Sequence, residues 1–111
     1  MKINLNETQP FEFFPGYFGK MIHNAHNTVA IWSITEGSAI PLHHHVHTQI
    51  MWMQEGRFWF ELDGQEMILE AGDVLCIPSN IPHRGKALTA CRITDVFSPE
   101  REDYKAKQLA G

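Results

Sequence analysis

Arg57-Phe58-Trp59-Phe60-Glu61-Leu62-Asp63-Gly64-Gln65-Glu66-Met67-Ile68-Leu69 reads as a β-hairpin. Side chains alternate across an extended strand, so Phe58, Phe60 and Leu62 share one face and Trp59 and Glu61 the other. Asp63-Gly64 supplies the tight turn, because both residues tolerate positive φ. Gln65 to Leu69 returns. Working outward, the same signs repeat. Thr28 to Thr35 is β-branched and aromatic and stops at Glu36-Gly37-Ser38; Gln49 to Gln54 closes at Glu55-Gly56. Glu70-Ala71-Gly72-Asp73 is a turn, Val74 to Ile77 a short buried strand, and Leu88 to Phe97 the last long strand. Short strands at near-regular spacing with turns between them predict an all-β sandwich or barrel. Ser98-Pro99-Glu100 offers an N-cap serine, a proline at the first helical position and an early acid. It predicts a short C-terminal helix.

Composition sets outer limits. The 111 residues are 43% hydrophobic, enough for one packed core, so residues 1–111 read as a single domain. They show no internal repeat, linker or low-complexity segment. A net charge of −4 without a Lys/Arg cluster argues against a nucleic-acid partner. No apolar run reaches the length of a membrane span. The N-terminus lacks a signal-peptide stretch, and Cys76 and Cys91 form no C-x-x-C pair. Both cysteines read as small buried apolar residues in a reducing compartment, so a cytoplasmic location is expected.

Chemistry concentrates in His43, His45, Gln49 and His83. The first three occupy odd positions, so on one extended strand they share a face. His83 arrives from the end of a later strand, after the turn-rich run Pro78-Ser79-Asn80-Ile81-Pro82. Three imidazoles and an amide oxygen suit a divalent transition metal, and Zn, Ni, Mn or Fe all fit that donor set. Glutamine brings a dipole where glutamate would bring a charge. The metal would keep its full positive charge, attract an anionic ligand more strongly and be held less tightly. A polar strand would explain the histidines alone, but not Gln49, Gly56 and Pro82-His83 at these intervals. His47 has the parity of His43 and His45 and is expected to line the cavity; His44 points away. His23 and His26 fall in a polar loop and read as surface residues.

On the last strand, Cys91, Ile93, Asp95 and Phe97 share a face that is apolar except for Asp95. Pattern alone therefore puts a carboxyl into the interior, where desolvation raises its pKa toward that of a general acid. The alternative is a structural acid paired with Arg84 or Arg57.

These residues resemble a known family. Gly37, five residues, His43-x-His45, three residues, Gln49, six residues, Gly56 is similar to the first cupin motif, with Gln for the usual Glu. Gly64, five residues, Glu70-x-Gly72-Asp73, then Pro78 and Pro82-His83, is similar to the second, with Glu for the usual Pro. The resemblance implies a double-stranded β-helix, the cupin jelly-roll barrel, with a core over about residues 28–97. An N-terminal arm (1–27) and a C-terminal tail (98–111) would flank it, and barrels of this kind pair as homodimers. Asp95-Val-Phe97-Ser-Pro-x-Arg101-x-Asp-Tyr resembles the C-terminal signature of the KdgF-type cupins of pectin and alginate breakdown. Those proteins convert 4,5-unsaturated uronate monosaccharides to linear 5-keto-4-deoxyuronate. Their metal ligands match His43, His45, Gln49 and His83, and their catalytic acid, aromatic and arginine match Asp95, Phe97 and Arg101.

The expectation is thus a metal-dependent ring-opening enzyme acting on a small anionic sugar acid. Two alternatives stand beside it: an iron-dependent cupin dioxygenase on a small organic acid, and a non-catalytic small-ligand-binding cupin. The aromatic run Phe11, Phe13, Phe14, Tyr17 and Phe18 is expected to cover one end of the barrel or to pack at a dimer interface. Trp52 and Trp59 read as core rather than as site residues.

Overall fold

The computed structural model covers residues 1–111 and consists of two antiparallel sheets closed by one helix. Ten strands run in chain order: β1 (Phe11–Phe14), β2 (Tyr17–His23), β3 (Thr28–Ile34), β4 (Ala39–His43), β5 (Thr48–Glu55), β6 (Arg57–Leu62), β7 (Gln65–Glu70), β8 (Val74–Ile77), β9 (His83–Ala87) and β10 (Cys91–Ser98). Helix α1 (Glu102–Ala110) follows. One sheet has the order β1-β2-β3-β10-β5-β8, the other β4-β9-β6-β7. The chain crosses between sheets repeatedly, which makes a jelly-roll barrel; the strand pattern predicts the all-β class and the cupin resemblance implies the jelly roll.

The hairpin at its centre is as expected. Phe58 pairs with Leu69 and Phe60 with Met67, and Asp63 and Gly64 both have positive φ. Phe58, Phe60 and Leu69 point into the core. Gly85 on the neighbouring β9 makes room for them, since a Cβ there would lie 2.4 Å from the Phe58 ring. At Gly56 the chain leaves the large sheet for the small one. Its φ is +92°, and an added Cβ would lie 2.3 Å from the Ala90 carbonyl oxygen.

Inward-facing residues of the large sheet stack in rows along the barrel axis. The row at the mouth is His23, Thr28, Phe97, Gln49 and Ile77. Next come Met21, Ala30, Asp95, Met51 and Leu75; then Gly19, Trp32, Ile93 and Met53; and, deepest, Tyr17, Ile34 and Cys91. Central strand β10 thus carries Phe97 at the rim, Asp95 one row in, and Ile93 and Cys91 below, in a floor that is apolar apart from the polar tips of Trp32 and Tyr17. That floor supplies the stability, because full burial of one such apolar side chain contributes about 1.5–3 kcal/mol.

Several expectations need correction. The barrel does not begin at residue 28: Phe11–Phe14 and Tyr17–His23 are strands that extend the large sheet past the expected boundary at Thr28. Aromatic rings crowded over eight residues hid the alternation there. His23 is not a loop residue but ends β2, half-buried, with Nδ1 2.8 Å from Thr28 Oγ1. β8 is an edge strand with Val74 and Cys76 exposed, so only Cys91 of the two free cysteines is buried. Trp52 lies on the outer face of the large sheet, 48% exposed, while Trp59 donates to Glu66 on the surface. The last strand begins at Cys91, and Leu88 belongs to the turn before it. The helix starts after Arg101 rather than at Ser98, so Pro99 and Glu100 form the connection. No helix is long and apolar enough to cross a membrane.

Candidate metal centre and cavity

His43, His45 and His83 come together at the mouth, with ligand nitrogens within 4.8 Å of one another. His43, His45 and Gln49 do not share one strand as the parity argument expects. β4 ends at His43, the chain bends through residues 44–47, and β5 begins at Thr48 in the other sheet. His43 pairs with His83 across β4 and β9, while Gln49 stands opposite them on β5. The tract therefore spans the gap between the two sheets, and the donors converge from both sides. His44 is exposed and His47 half-buried. The His47 ring packs at 6.4 Å from Phe97, outside the cavity lining.

Hydrogen bonding fixes the tautomers. Nδ1 of His43 donates to Pro41 O (2.8 Å), that of His45 to His47 O (2.9 Å) and that of His83 to Ile81 O (2.8 Å). A carbonyl only accepts, so each Nδ1 carries the proton and each Nε2 presents a lone pair. Burial lowers the pKa of all three rings; the nearby Arg101 charge helps bring His45 to about 4. Neutral imidazole is the form that binds metals.

One contact tests the fit directly. His45 Nε2 lies 3.2 Å from Gln49 Oε1. With the proton on Nδ1, two acceptors face each other with nothing between them. A cation bound by both resolves that repulsion, so the donor set fits a divalent transition metal.

Beneath the imidazoles lies a small cavity of about 50 Å³ that opens at the barrel mouth. Its polar residues besides the metal donors are Asp95, Arg101, Tyr17, Trp32 and Tyr104. Asp95 is 7% exposed. It pairs with neither Arg84, which binds Glu61, nor Arg57, which binds Glu70. Instead Trp32 Nε1 donates to its Oδ2 at 2.9 Å, while Oδ1 has no hydrogen-bond partner in the chain. Burial pushes the carboxyl up to about 6; nearby Gln49, Trp32 and the Arg101 charge hold it from rising further.

Arg101, which the resemblance places in the site, stands just before the helix and is 5% exposed. Its backbone N–H donates to Thr28 Oγ1, which ties it to the rim of the barrel. Nε and Nη2 form a fork on Asp103 at 2.9 and 2.8 Å. The guanidinium lies over Phe97 and Tyr104, 4.6 and 3.8 Å from the ring centres. Nη1 is buried without a partner. Phe97 itself stands edge-on to His45 at 5.7 Å, between metal centre and guanidinium.

Sequence reasoning missed Trp32. A tryptophan within a strand reads as core, and only the fold brings it beneath Asp95. Gly19 makes the place for it: a Cβ there would sit 2.9 Å from the indole ring. Tyr104 was visible within the C-terminal signature but had no role; it lies under Arg101 and against Trp32 and Phe97.

The sequence matches the cupin domain family over residues 30–97, and the chain belongs to that family. No curated protein matches it. Among solved structures it is similar to KdgF from a Halomonas species, with 28% identity, TM-score 0.86, and 91% of this chain and 94% of that one covered. It is also similar to an RmlC-like cupin from Shewanella frigidimarina, with 27% identity, TM-score 0.88 and coverages of 92% and 93%. Oxalate decarboxylase from Bacillus subtilis, a protein with Mn(II) centres, shares the fold at 20% identity, TM-score 0.74 and coverages of 89% and 29%.

Proposed function

We propose that this cupin opens 4,5-unsaturated uronate monosaccharides to linear 5-keto-4-deoxyuronates. One observation carries the reading. A buried carboxyl with one free oxygen and a buried guanidinium with one free nitrogen face the same cavity, beneath a cluster of imidazoles spaced to hold a metal. The likeness to KdgF over nearly the whole chain supports it.

His43, His45, Gln49 and His83 would hold the metal. Bound there, a divalent cation supplies a charge that no carboxylate ligand offsets, which favours an anionic substrate and polarises it. Arg101 contributes Nη1 to the substrate carboxylate, its other nitrogens being fixed on Asp103. Phe97 forms the wall between these groups and limits how the ring lies.

Asp95, protonated, delivers its proton to C4 of the enol ether as water adds at C5. The proton released by that water restores the acid. The C5 hemiketal then breaks its bond to the ring oxygen, leaving a ketone at C5 and an aldehyde hydrate at C1 that loses water. No electrons are transferred.

The test is incubation of metal-loaded protein with unsaturated galacturonate and unsaturated guluronate, following the absorbance of the C4–C5 double bond. Loss of absorbance is expected with at least one. If neither is consumed, the reading fails.

A further inference from the structure

Tyr17 has no part in the reaction just described, yet it borders the same cavity. It is 4% exposed, and its hydroxyl has no hydrogen-bond partner. A buried hydroxyl is rarely left so, because it has lost the bonds that water gave it. Five buried side-chain atoms of the chain lack partners, and three belong to residues lining this cavity: Tyr17 Oη, Asp95 Oδ1 and Arg101 Nη1. His23 and His47, which carry the other two, do not line it.

The three are chemically different. Arg101 can only donate, the carboxyl oxygen of Asp95 accepts or carries the acid proton, and a phenol does both. They are also placed differently. Tyr17 sits in the row of Ile34 and Cys91, two rows deeper than Asp95. Its ring packs edge-on to Trp32 at 5.9 Å, the same indole that holds Asp95. Burial, and then the charges of Cys91 and Asp95, push the phenol pKa up, so the group stays neutral and keeps its proton.

We infer that Tyr17 is a specificity-determining residue: its hydroxyl hydrogen-bonds a hydroxyl of the bound sugar acid at the deep end of the cavity, away from the imidazoles. The cavity is then polar at both ends, with Arg101 and the metal donors toward the mouth and Tyr17 at the floor. A ligand that satisfies both ends is a hydroxylated acid of monosaccharide size. A short acid engages the mouth alone. This inference rests on the anionic ligand proposed above but not on its turnover.

The experiment is calorimetric titration of metal-loaded wild type and Tyr17→Phe with galacturonate, which has no double bond to react, and with acetate. Phenylalanine keeps the ring and removes only the hydroxyl, so the melting temperature should hold. Galacturonate should bind Tyr17→Phe roughly tenfold more weakly, the value of one hydrogen bond, with acetate unaffected. Equal galacturonate affinity in the two proteins, an equal loss for both acids, or no galacturonate binding by wild type overturns it. The two ideas separate cleanly. Protein that binds galacturonate through Tyr17 but leaves unsaturated galacturonate intact sinks only the reaction. Protein that consumes unsaturated galacturonate with the same KM in wild type and Tyr17→Phe sinks only the role of Tyr17.

Discussion

Asp95 and Trp32 form the pair from which the proposed chemistry is argued at the scale of single residues. A carboxyl among Ile93, Phe97 and Trp32 is costly to ionise, and burial raises it to about 6. The acid form is the one the reaction uses, so activity should fall as pH rises through about 6. Asp95→Asn removes the proton and keeps the shape. It should lower kcat at least ~100-fold while metal content, read by elemental analysis, is unchanged. Trp32 donates to Oδ2, and that bond favours the ionised carboxylate. Trp32→Phe removes it and should move the falling limb of the pH profile to higher pH; a limb at lower pH would contradict the assignment. Asp95 was legible in the sequence because one acid interrupts an otherwise apolar face. Trp32 was not, because its partner lies 63 residues away and only strand pairing joins them.

Strands and turns pose a different problem, that of passing from one sheet to the other. The connection between β5 and β6 does it at Gly56, where positive φ coincides with close approach of the Ala90 carbonyl. Gly64 in the β6–β7 turn has the same sign of φ, but an added Cβ there meets nothing within 4 Å. The two positions should therefore respond unequally. Gly64→Ala should cost about 1–2 kcal/mol for left-handed backbone alone. Gly56→Ala adds overpacking, worth a further ~1–3 kcal/mol. Urea unfolding measures both, and equal losses would show that the corner is not where the strain lies. The hairpin around Gly64 was read correctly, because alternation and turn chemistry are local. β1, β2, β4 and β9 were not read as strands. The first two are masked by clustered aromatics, and β4 carries Pro41 and ends amid histidines. β9 holds Gly85 at its centre, where a propensity reading sees a break and the fold sees space for Phe58 and Phe60.

At the scale of the molecule, the imidazole cluster ties the two sheets together. His43 and His83 belong to the small sheet, Gln49 to the large one, and His45 to the bend between them. A cation held by all four binds only the folded barrel, so it should stabilise that state by about 2.7 kcal/mol at a hundredfold excess over Kd. For a chain of this size that is a rise of roughly 10 °C or more in Tm. Thermal unfolding with and without a chelator measures it, and a Tm indifferent to both would deny the centre. The sequence by itself determined the all-β class, the cupin motifs and the histidines that gather at the mouth, because alternation, turn residues and ligand spacing are written along the chain. It could not show that the histidine tract bends across from one sheet to the other. Nor could it show that Arg101 is buried with one nitrogen free, or that Tyr17 and Trp32 line the same cavity as Asp95. Those facts depend on which rows of distant strands fall side by side. Register is set by the packing of the closed barrel, where long-range pairing decides what each side chain meets.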